Sequence, residues 1–211
     1  MKFSKSNVFN GCVVWLTLML SPVGVANETP AQEHDPYQKI EYVTAKLLKI
    51  ISEHQQGYPA NETGYFQALH VLLDTVVDFK FISRSVMGSY AKSATSQQRD
   101  LFVKKFREDL VQTYGRGLIS FGNEQILIVD RAPLQEGQRK LTVKQEIRSE
   151  GSVYPLQYSM ARKKSGEWMV VNVIINGINL GKTFRGQFTQ AAQKAAGDLD
   201  IVIAQWASEA G

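Results

Sequence analysis

Apolar residues in the first half of the chain recur every three or four positions, which is the spacing of one face of an α-helix. This spacing predicts a first helix over residues 37–54 and a second one that carries the apolar positions from 66 to 77. A shorter third helix is expected over 79–87, with Gly88 near its end. Glycine and proline between 57 and 64 interrupt the pattern, so the first two helices are separate elements.

A longer helix is predicted to follow. Thr95 and Gln98 have the spacing at which the two side chains cap each other's backbone amides, so the helix should start at this point. Its apolar stripe continues from Leu101 to about Phe121. Two glycines between 115 and 117 are expected to loosen its last turns, because glycine is a poor helix former.

The apolar period then changes from helical to alternating, which is typical of β-strands. Four strands are predicted, over residues 124–130, 139–148, 153–162 and 168–175. The connections between them are too short for parallel crossovers, so the strands must pair antiparallel. The tail 187–210 is again helical, with a break at Gly197. The chain is therefore predicted to be α+β, a four-stranded antiparallel sheet with helices packed on one face.

The last strand is apolar on both faces. Strict alternation puts Met169, Val171, Val173 and Ile175 on one face and Trp168, Val170 and Ile174 on the other. Antiparallel sheets usually expose one face to water, so a strand of this kind needs an explanation. Either it is a central strand between a helical layer and a curled sheet edge, or the helices and the sheet together enclose an apolar ligand cavity.

The N-terminal segment changes the expected cellular compartment. Lys2 and Lys5 precede a short apolar run, and small residues end at Ala26, which predicts a cleaved secretory signal over residues 1–26. A membrane anchor is the alternative, although the run is short for a bilayer. We expect a flexible stretch over 27–36 and a single domain over 37–211. Cleavage would remove Cys12, the only cysteine, and leave 22 basic and 20 acidic side chains, a balance that does not call for a nucleic-acid partner.

Candidate catalytic chemistry is sparse. Residues 177–183 resemble a phosphate-binding loop, but the two glycines are separated by three residues instead of four. The histidines occupy no metal-ligand spacing, and His70 is interpreted as a helix-surface or core residue. Asp74 and Asp78 could pair their carboxyl groups, but an exposed acidic face is the favoured interpretation. The sequence therefore predicts no catalytic residue, no metal and no cofactor.

Three segments carry a resemblance to a known family: DFKFISRSVMGSY (78–90), TSQQRDLFVKKFREDLVQTYGRGL (95–118) and GEWMVVNVIINGINLGKTFRGQF (166–188), followed by GDLDIVI (197–203). They resemble the MlaC family of the Mla (maintenance of lipid asymmetry) system, also known as the Ttg2-type toluene-tolerance family. The chain departs from the usual family pattern at Asn172, Asn176, Asn179 and Phe184, which replace two acids and a tyrosine among others.

The resemblance implies a periplasmic phospholipid carrier that shuttles lipid between an outer-membrane lipoprotein–porin complex and an inner-membrane ABC transporter complex. The bound phospholipid would be its ligand, held by the acyl chains in an apolar cavity of an NTF2-like cone. The expected cavity walls are Phe79, Ile82, Met87, Tyr90, Phe106, Leu110, Tyr114, Tyr158, Met160, Val171, Val173 and Ile175. Arg185 and Phe184 are expected at the mouth near the headgroup. The alternatives are an NTF2-like enzyme or binding protein for a small apolar ligand, and a structural adaptor with a filled core.

Overall fold

The computed structural model describes residues 35–122, 124–149 and 151–209, with side chains through Trp206. The predicted secretory signal, 1–26, and most of the predicted flexible stretch lie outside the described residues. The helices are α1 (Pro36–His54), α2 (Glu62–Asp74), α3 (Phe79–Met87), α4 (Tyr90–Ser93), α5 (Ser96–Leu118), α6 (Leu180–Lys194) and α7 (Leu199–Glu209). The strands are β1 (Gln125–Val129), β2 (Lys140–Ser149), β3 (Ser152–Arg162), β4 (Trp168–Ile175) and β5 (Ile178–Asn179).

The strands form one antiparallel sheet in the order β1-β2-β3-β4-β5. The prediction of an α+β fold with an antiparallel sheet is confirmed. The sheet has five strands instead of the four predicted, because the turn at Asn176 and Gly177 returns the chain for one short additional pairing with the end of β4. Both residues have positive φ, which suits a tight turn of this kind.

A β-bulge in β4 sets which side chains share a face. Ser159 pairs with Asn172 and Met160 pairs with Val170, so Val171 is an extra residue on β4. A bulge shifts the alternation of side chains by one position. Trp168 and Val170 therefore lie on the same face as Val173, and all three pack in one cluster. The prediction of opposite faces was wrong, because strict alternation takes no account of the extra residue.

Helix α1 crosses this face of the sheet. The Asp35 carboxylate caps its first turn by accepting from the backbone N–H of Tyr37, at 2.8 Å. Tyr37 and Ile40 then pack against the buried sheet residues, while Ile51 at the other end of the helix packs with α2 and α5. Helix α1 therefore joins the sheet to the helical part of the molecule.

The remaining helices build a separate apolar cluster beside β4. Phe102 and Phe106 of α5, Phe188 of α6 and Trp206 of α7 pack ring against ring and are at most 5% exposed. The predicted capping box at the start of α5 is confirmed, with reciprocal hydrogen bonds of 3.0 and 3.1 Å between Thr95 and Gln98. Gly88 follows α3 with φ +58°, which ends that helix as expected.

Helix α6 starts seven residues earlier than the predicted helical tail. Asn179 caps it by accepting from the backbone N–H of Lys182 at 3.0 Å. Gly181, which made this stretch resemble a loop, lies in the first turn and donates its N–H to the Asn172 side chain of β4 at 3.0 Å. A Cβ at Gly181 would lie 2.5 Å from that oxygen. The glycine is therefore required by the close approach of α6 to the sheet.

This contact predicts opposite effects for two glycines of the same helix. Gly181→Ala should lower the free energy of unfolding by about 1–3 kcal/mol, because the Asn172 oxygen must move and a hydrogen bond is lost. Gly186→Ala, whose Cβ would meet no atom within 4 Å, should raise it by about 0.5–1 kcal/mol through helix propensity. Urea denaturation of both variants measures the difference. Equal effects would contradict the Asn172 contact as the reason for the glycine.

Candidate functional site

The inner face of the sheet, defined as the face that α1 crosses, is apolar along its length but only partly covered. Its covered part comprises Val143, Met160, Trp168 and Val170, each at most 3% exposed. Its open part lies toward the β2–β3 turn and comprises the half-buried side chains of Ile126, Ile128, Ile147, Leu156, Val173 and Ile175. A contiguous apolar surface that stays accessible in a folded protein is typical of a ligand or partner site.

Tyr158 lies where the covered and open parts of the inner face meet. It lies on β3 between Val143 and Val173 of the neighbouring strands. Burial raises the pKa of its phenol to about 12, while the residue as a whole is half-buried. Tyr158 therefore joins the covered core to the open part of the inner face.

The helices contribute a second set of half-buried apolar residues. They pack against the edges of two clusters, the sheet cluster and the cluster formed by Ile51, Tyr65, Leu69 and Val111. These half-buried residues are Val43, Leu47, Ile50, Phe66, Leu73, Leu118, Ile119 and Phe121. The two clusters and the helical cluster around Phe102 do not merge into one core. Helices α1, α3 and α6 approach the sheet closely, whereas α2 and α5 do not. From this arrangement we infer an apolar cleft, defined as the space between the open part of the inner face and the half-buried residues of α1, α2 and α5.

A short polar network interrupts the apolar inner face. The Tyr158 hydroxyl donates to Gln145 Oε1 at 2.9 Å, and Gln145 Nε2 donates to Thr44 Oγ1 of α1 at 3.0 Å. Gln145 is only 3% exposed. The network therefore ties α1 to the middle of the sheet at the boundary between its covered and open parts.

The predicted wall residues fall into two groups. Ile82, Met87 and Phe106 belong to the helical cluster, with Tyr90 and Leu110 packed against it, and Phe79 is buried at the start of α3. Met87 and Phe106 are at most 1% exposed, so in this arrangement they contact other side chains only. Tyr114 lies on the surface of α5, 39% exposed. The role of this group in ligand binding stays a prediction.

The second group is brought together on the sheet. Tyr158, Met160 and Val173 share the cluster on the inner face, and Ile175 continues it opposite Leu156. Val171 is the extra residue of the bulge and is half-buried. Tyr158, Val173 and Ile175 are the predicted walls that border the open part of the inner face, whereas Met160 belongs to its covered part.

The two predicted mouth residues lie apart from the sheet face. Phe184 is 8% exposed inside the helical cluster. Arg185 is exposed, donates to the Ser85 carbonyl at 2.7 Å, and borders a surface pocket of about 430 Å³ with Phe81 and Arg84. A second surface pocket, about 250 Å³, lies between α6 and α7 beside Trp206. The position of Phe184 and Arg185 at a cavity mouth stays a prediction.

The acid and histidine candidates have local structural partners. Asp78 accepts from the Phe81 backbone N–H at 2.9 Å and caps α3. Asp74 pairs with Arg107 of α5 at 2.5 Å, and His70 lies close to both. Desolvation, with the Arg107 charge, lowers the pKa of His70. None of these groups lies on the inner face of the sheet, and the described residues contain no cluster of His, Cys, Asp and Glu able to hold a metal ion.

Two parts of the cleft were missed from the sequence. Leu47 and Thr44 lie on the apolar stripe of α1, which was recognised as amphipathic but not assigned to a wall. Gln145 occupies an inward position of β2, between Val143 and Ile147. A polar residue in the apolar phase of an alternating strand was a signal that could have identified it.

The chain resembles known proteins along most of its length. The sequence profile of the family described as MlaC protein matches residues 41–208. The toluene tolerance protein ttg2D of Pseudomonas putida is 38% identical over 175 residues, which are 82% of this chain and 80% of that protein. The intermembrane phospholipid transport system binding protein MlaC of Haemophilus influenzae is 26% identical over 171 residues, 79% of each chain.

The fold also matches a solved structure. A phospholipid-binding protein of Ralstonia solanacearum, determined in complex with a phospholipid, superposes with a TM-score of 0.69 over 83% of this chain and 96% of its own. The two sequences are 22% identical, so this likeness concerns the fold. In the part of the chain that the structure describes, no helix has the length and apolar character needed to cross a bilayer.

The desolvation of the Tyr158 phenol predicts that stability depends on pH in the alkaline range. An unfolded tyrosine loses its proton near pH 10, whereas the folded protein holds the Tyr158 proton until about pH 12. Between these values the unfolded state binds fewer protons, so stability falls as the pH rises. Tyr158→Phe should make this fall less steep and should remove one phenol from the late phase of an absorbance titration.

Two further variants calibrate this measurement. Burial also raises the pKa of Tyr65 to about 12, so Tyr65→Phe should remove a late phenol in the same way. Tyr154→Phe, which removes a phenol from the exposed end of β3, is the matched control. Equal effects of the Tyr158 and Tyr154 substitutions on the late phase of the absorbance titration would contradict the desolvation of Tyr158.

Proposed function

The chain belongs to the MlaC family, and from this membership together with the apolar cleft we propose that it is a phospholipid carrier. It holds the acyl chains of a phospholipid between the open part of the inner face and the helices α1, α2 and α5. The observation that carries this proposal is the row of half-buried apolar side chains on the inner face, from Ile126 and Ile128 to Val173 and Ile175. An acyl chain is the occupant that matches a surface of this composition.

The energetics of a lipid in water explain why a carrier needs such a surface. A diacyl phospholipid has roughly thirty methylenes, and their exposure at about 0.8 kcal/mol each would cost on the order of 24 kcal/mol. A cleft almost as apolar as a membrane makes loading a near-balanced exchange, and this exchange requires no covalent chemistry. A methylene contributes little to discrimination in an apolar site, so the carrier should accept a range of chain lengths.

The relatives support phospholipid as the ligand class. The Haemophilus influenzae protein is named for intermembrane phospholipid transport, and the Ralstonia solanacearum protein was solved with a phospholipid bound. We propose that this chain acts in the periplasm after removal of residues 1–26. Its partners would be the outer-membrane lipoprotein–porin complex and the inner-membrane ABC transporter complex of the Mla system, and it would require no cofactor.

We propose a narrower set of walls than the sequence suggested. Tyr158, Val173 and Ile175 of the sheet and Leu47 and Leu73 of the helices combine an apolar surface with remaining accessibility. The ring cluster around Phe106 supports the wall from outside instead of touching the ligand. An enzyme for a small apolar substrate would need an acid or histidine in the cleft. Asp78 caps α3 instead, and His70 lies beside the Asp74–Arg107 pair.

Purification without detergent tests this function directly. Mass spectrometry of the protein secreted by its expression host should detect copurified phospholipid at a ratio of about one or more per chain. A protein that carries no lipid, and that takes up none from vesicles, would contradict the carrier function and would favour a structural adaptor.

A charged side chain in the cleft should abolish lipid binding while the protein still folds. Val173→Asp places a carboxylate on the open part of the inner face, where burial without a partner is costly, so the copurified lipid should be lost. Val153→Asp on β3 is the matched control, because Val153 is 52% exposed and pairs with Arg148. Lipid phosphorus and circular dichroism measure the two outcomes. Loss of the fold at unchanged lipid content would contradict the placement of the cleft.

A further inference from the structure

The polar network of Thr44, Gln145 and Tyr158 has an unusual position for a structural hydrogen bond. Gln145 lies between Ile128 of β1 and Leu156 of β3, and Tyr158 lies between Val143 and Val173. A leucine or methionine at position 145 would fill the same place without the cost of desolvating an amide. The network therefore calls for a role beyond packing.

The network contains donor hydrogens that have no acceptor. A glutamine amide has two N–H donors and a threonine hydroxyl has one. One amide N–H of Gln145 is used on Thr44, and the Tyr158 hydroxyl occupies the Gln145 oxygen. Among the described residues, the second amide N–H of Gln145 and the hydroxyl hydrogen of Thr44 have no acceptor. The network can therefore donate two more hydrogen bonds.

Tyr158 and Thr44 hold the two ends of the Gln145 amide. The Tyr158 hydroxyl donates to Oε1, and the NH₂ group faces Thr44 of α1. Thr44 and Tyr158 are half-buried, whereas Gln145 is only 3% exposed. The two half-buried residues thus place the free donors beside the open part of the inner face.

We propose that Gln145 and Thr44 form a subsite for an ester carbonyl oxygen of the bound lipid, with Tyr158 as the positioning residue. This inference rests on the proposed carrier function and names the part of the lipid that is recognised. An ester carbonyl is a neutral acceptor, which matches the unused amide N–H of Gln145 and the unused hydroxyl hydrogen of Thr44. In the described part of the chain, no lysine or arginine bonds to any of the three residues, so the chemistry fits a carbonyl and not a phosphate.

This subsite gives the carrier a criterion that an apolar cleft lacks. The cleft alone discriminates between lipids only by their apolar volume. A buried donor that is left without a partner, in contrast, lowers the binding affinity. Ester-linked lipids would satisfy the network, and ether-linked lipids of equal chain length would leave it unsatisfied. The bound lipid would also be held at a fixed depth, because its glycerol end must lie beside Gln145.

Lipid loading from mixed vesicles tests the subsite. The delipidated full chain is incubated with vesicles of dipalmitoyl phosphatidylethanolamine and its dihexadecyl ether analogue in equal amounts, in a phosphatidylcholine matrix, and the bound lipids are quantified by mass spectrometry. One neutral hydrogen bond is worth about 0.5–1.5 kcal/mol, so the wild type should prefer the ester about 2- to 10-fold. Gln145→Met should abolish this preference by lowering ester binding to the level of the ether.

Three further variants separate recognition from structure. Thr44→Val removes a donor at constant shape and should reduce the preference, as should Tyr158→Phe by releasing the amide. Gln157→Met, on the same sheet but opposite Lys144 and Ile174, is the matched control and should keep the full preference. A wild type that loads both lipids equally would overturn the subsite while leaving the carrier function intact, and this comparison requires no variant to fold. A preference that persists in Gln145→Met and Thr44→Val would overturn it as well. Loading of neither lipid would contradict the carrier function itself.

Discussion

The bulge in β4 is the constraint on which the site depends. Without the extra residue Val171, strict alternation would turn Trp168 and Val170 away from the face that carries Val173. With it, one continuous apolar face runs from the buried Trp168 to the half-buried Ile175. The two ends of this face have different coverage, because α1 reaches only one of them closely. The covered end is a conventional core, and the open end borders the cleft.

The separation of the apolar clusters follows from the same arrangement. Helix α1 packs on the sheet through Tyr37 and on α2 and α5 through Ile51, so it bridges two clusters without fusing them. The rings around Phe102 form the third cluster, on the far side of α5 and against α6 and α7. The helical wall of the cleft is thus supported from behind by the ring cluster. Hydrogen bonds such as that from Gln55 to the Ile119 carbonyl, at 3.0 Å, tie the helices at the cleft's edge.

The parts that could be predicted from sequence are those governed by neighbours along the chain. The apolar stripe of α1, the capping box at Thr95 and the alternation of β2 depend on local spacing, and the structure contains all three. The bulge could not be predicted, because it is defined by the pairing of Met160 with Val170 across two strands. The start of α6 was missed for the same reason, since the glycine that suggests a loop is required by Asn172, nine residues away. Within the proposed site, the apolar character of β4 could be predicted from the sequence, whereas the contribution of α1 depends on tertiary contacts.

The support of the helical wall from behind has an evolutionary consequence. Side chains that line the cleft, such as Val173 and Leu47, have free space on one side, so a change of their size need not displace a neighbour. Side chains of the supporting clusters, such as Phe102, are enclosed on all sides and tolerate little change. Lining positions are therefore free to diversify within a lineage while the scaffold stays constant, and new cargo can be acquired without rebuilding the protein.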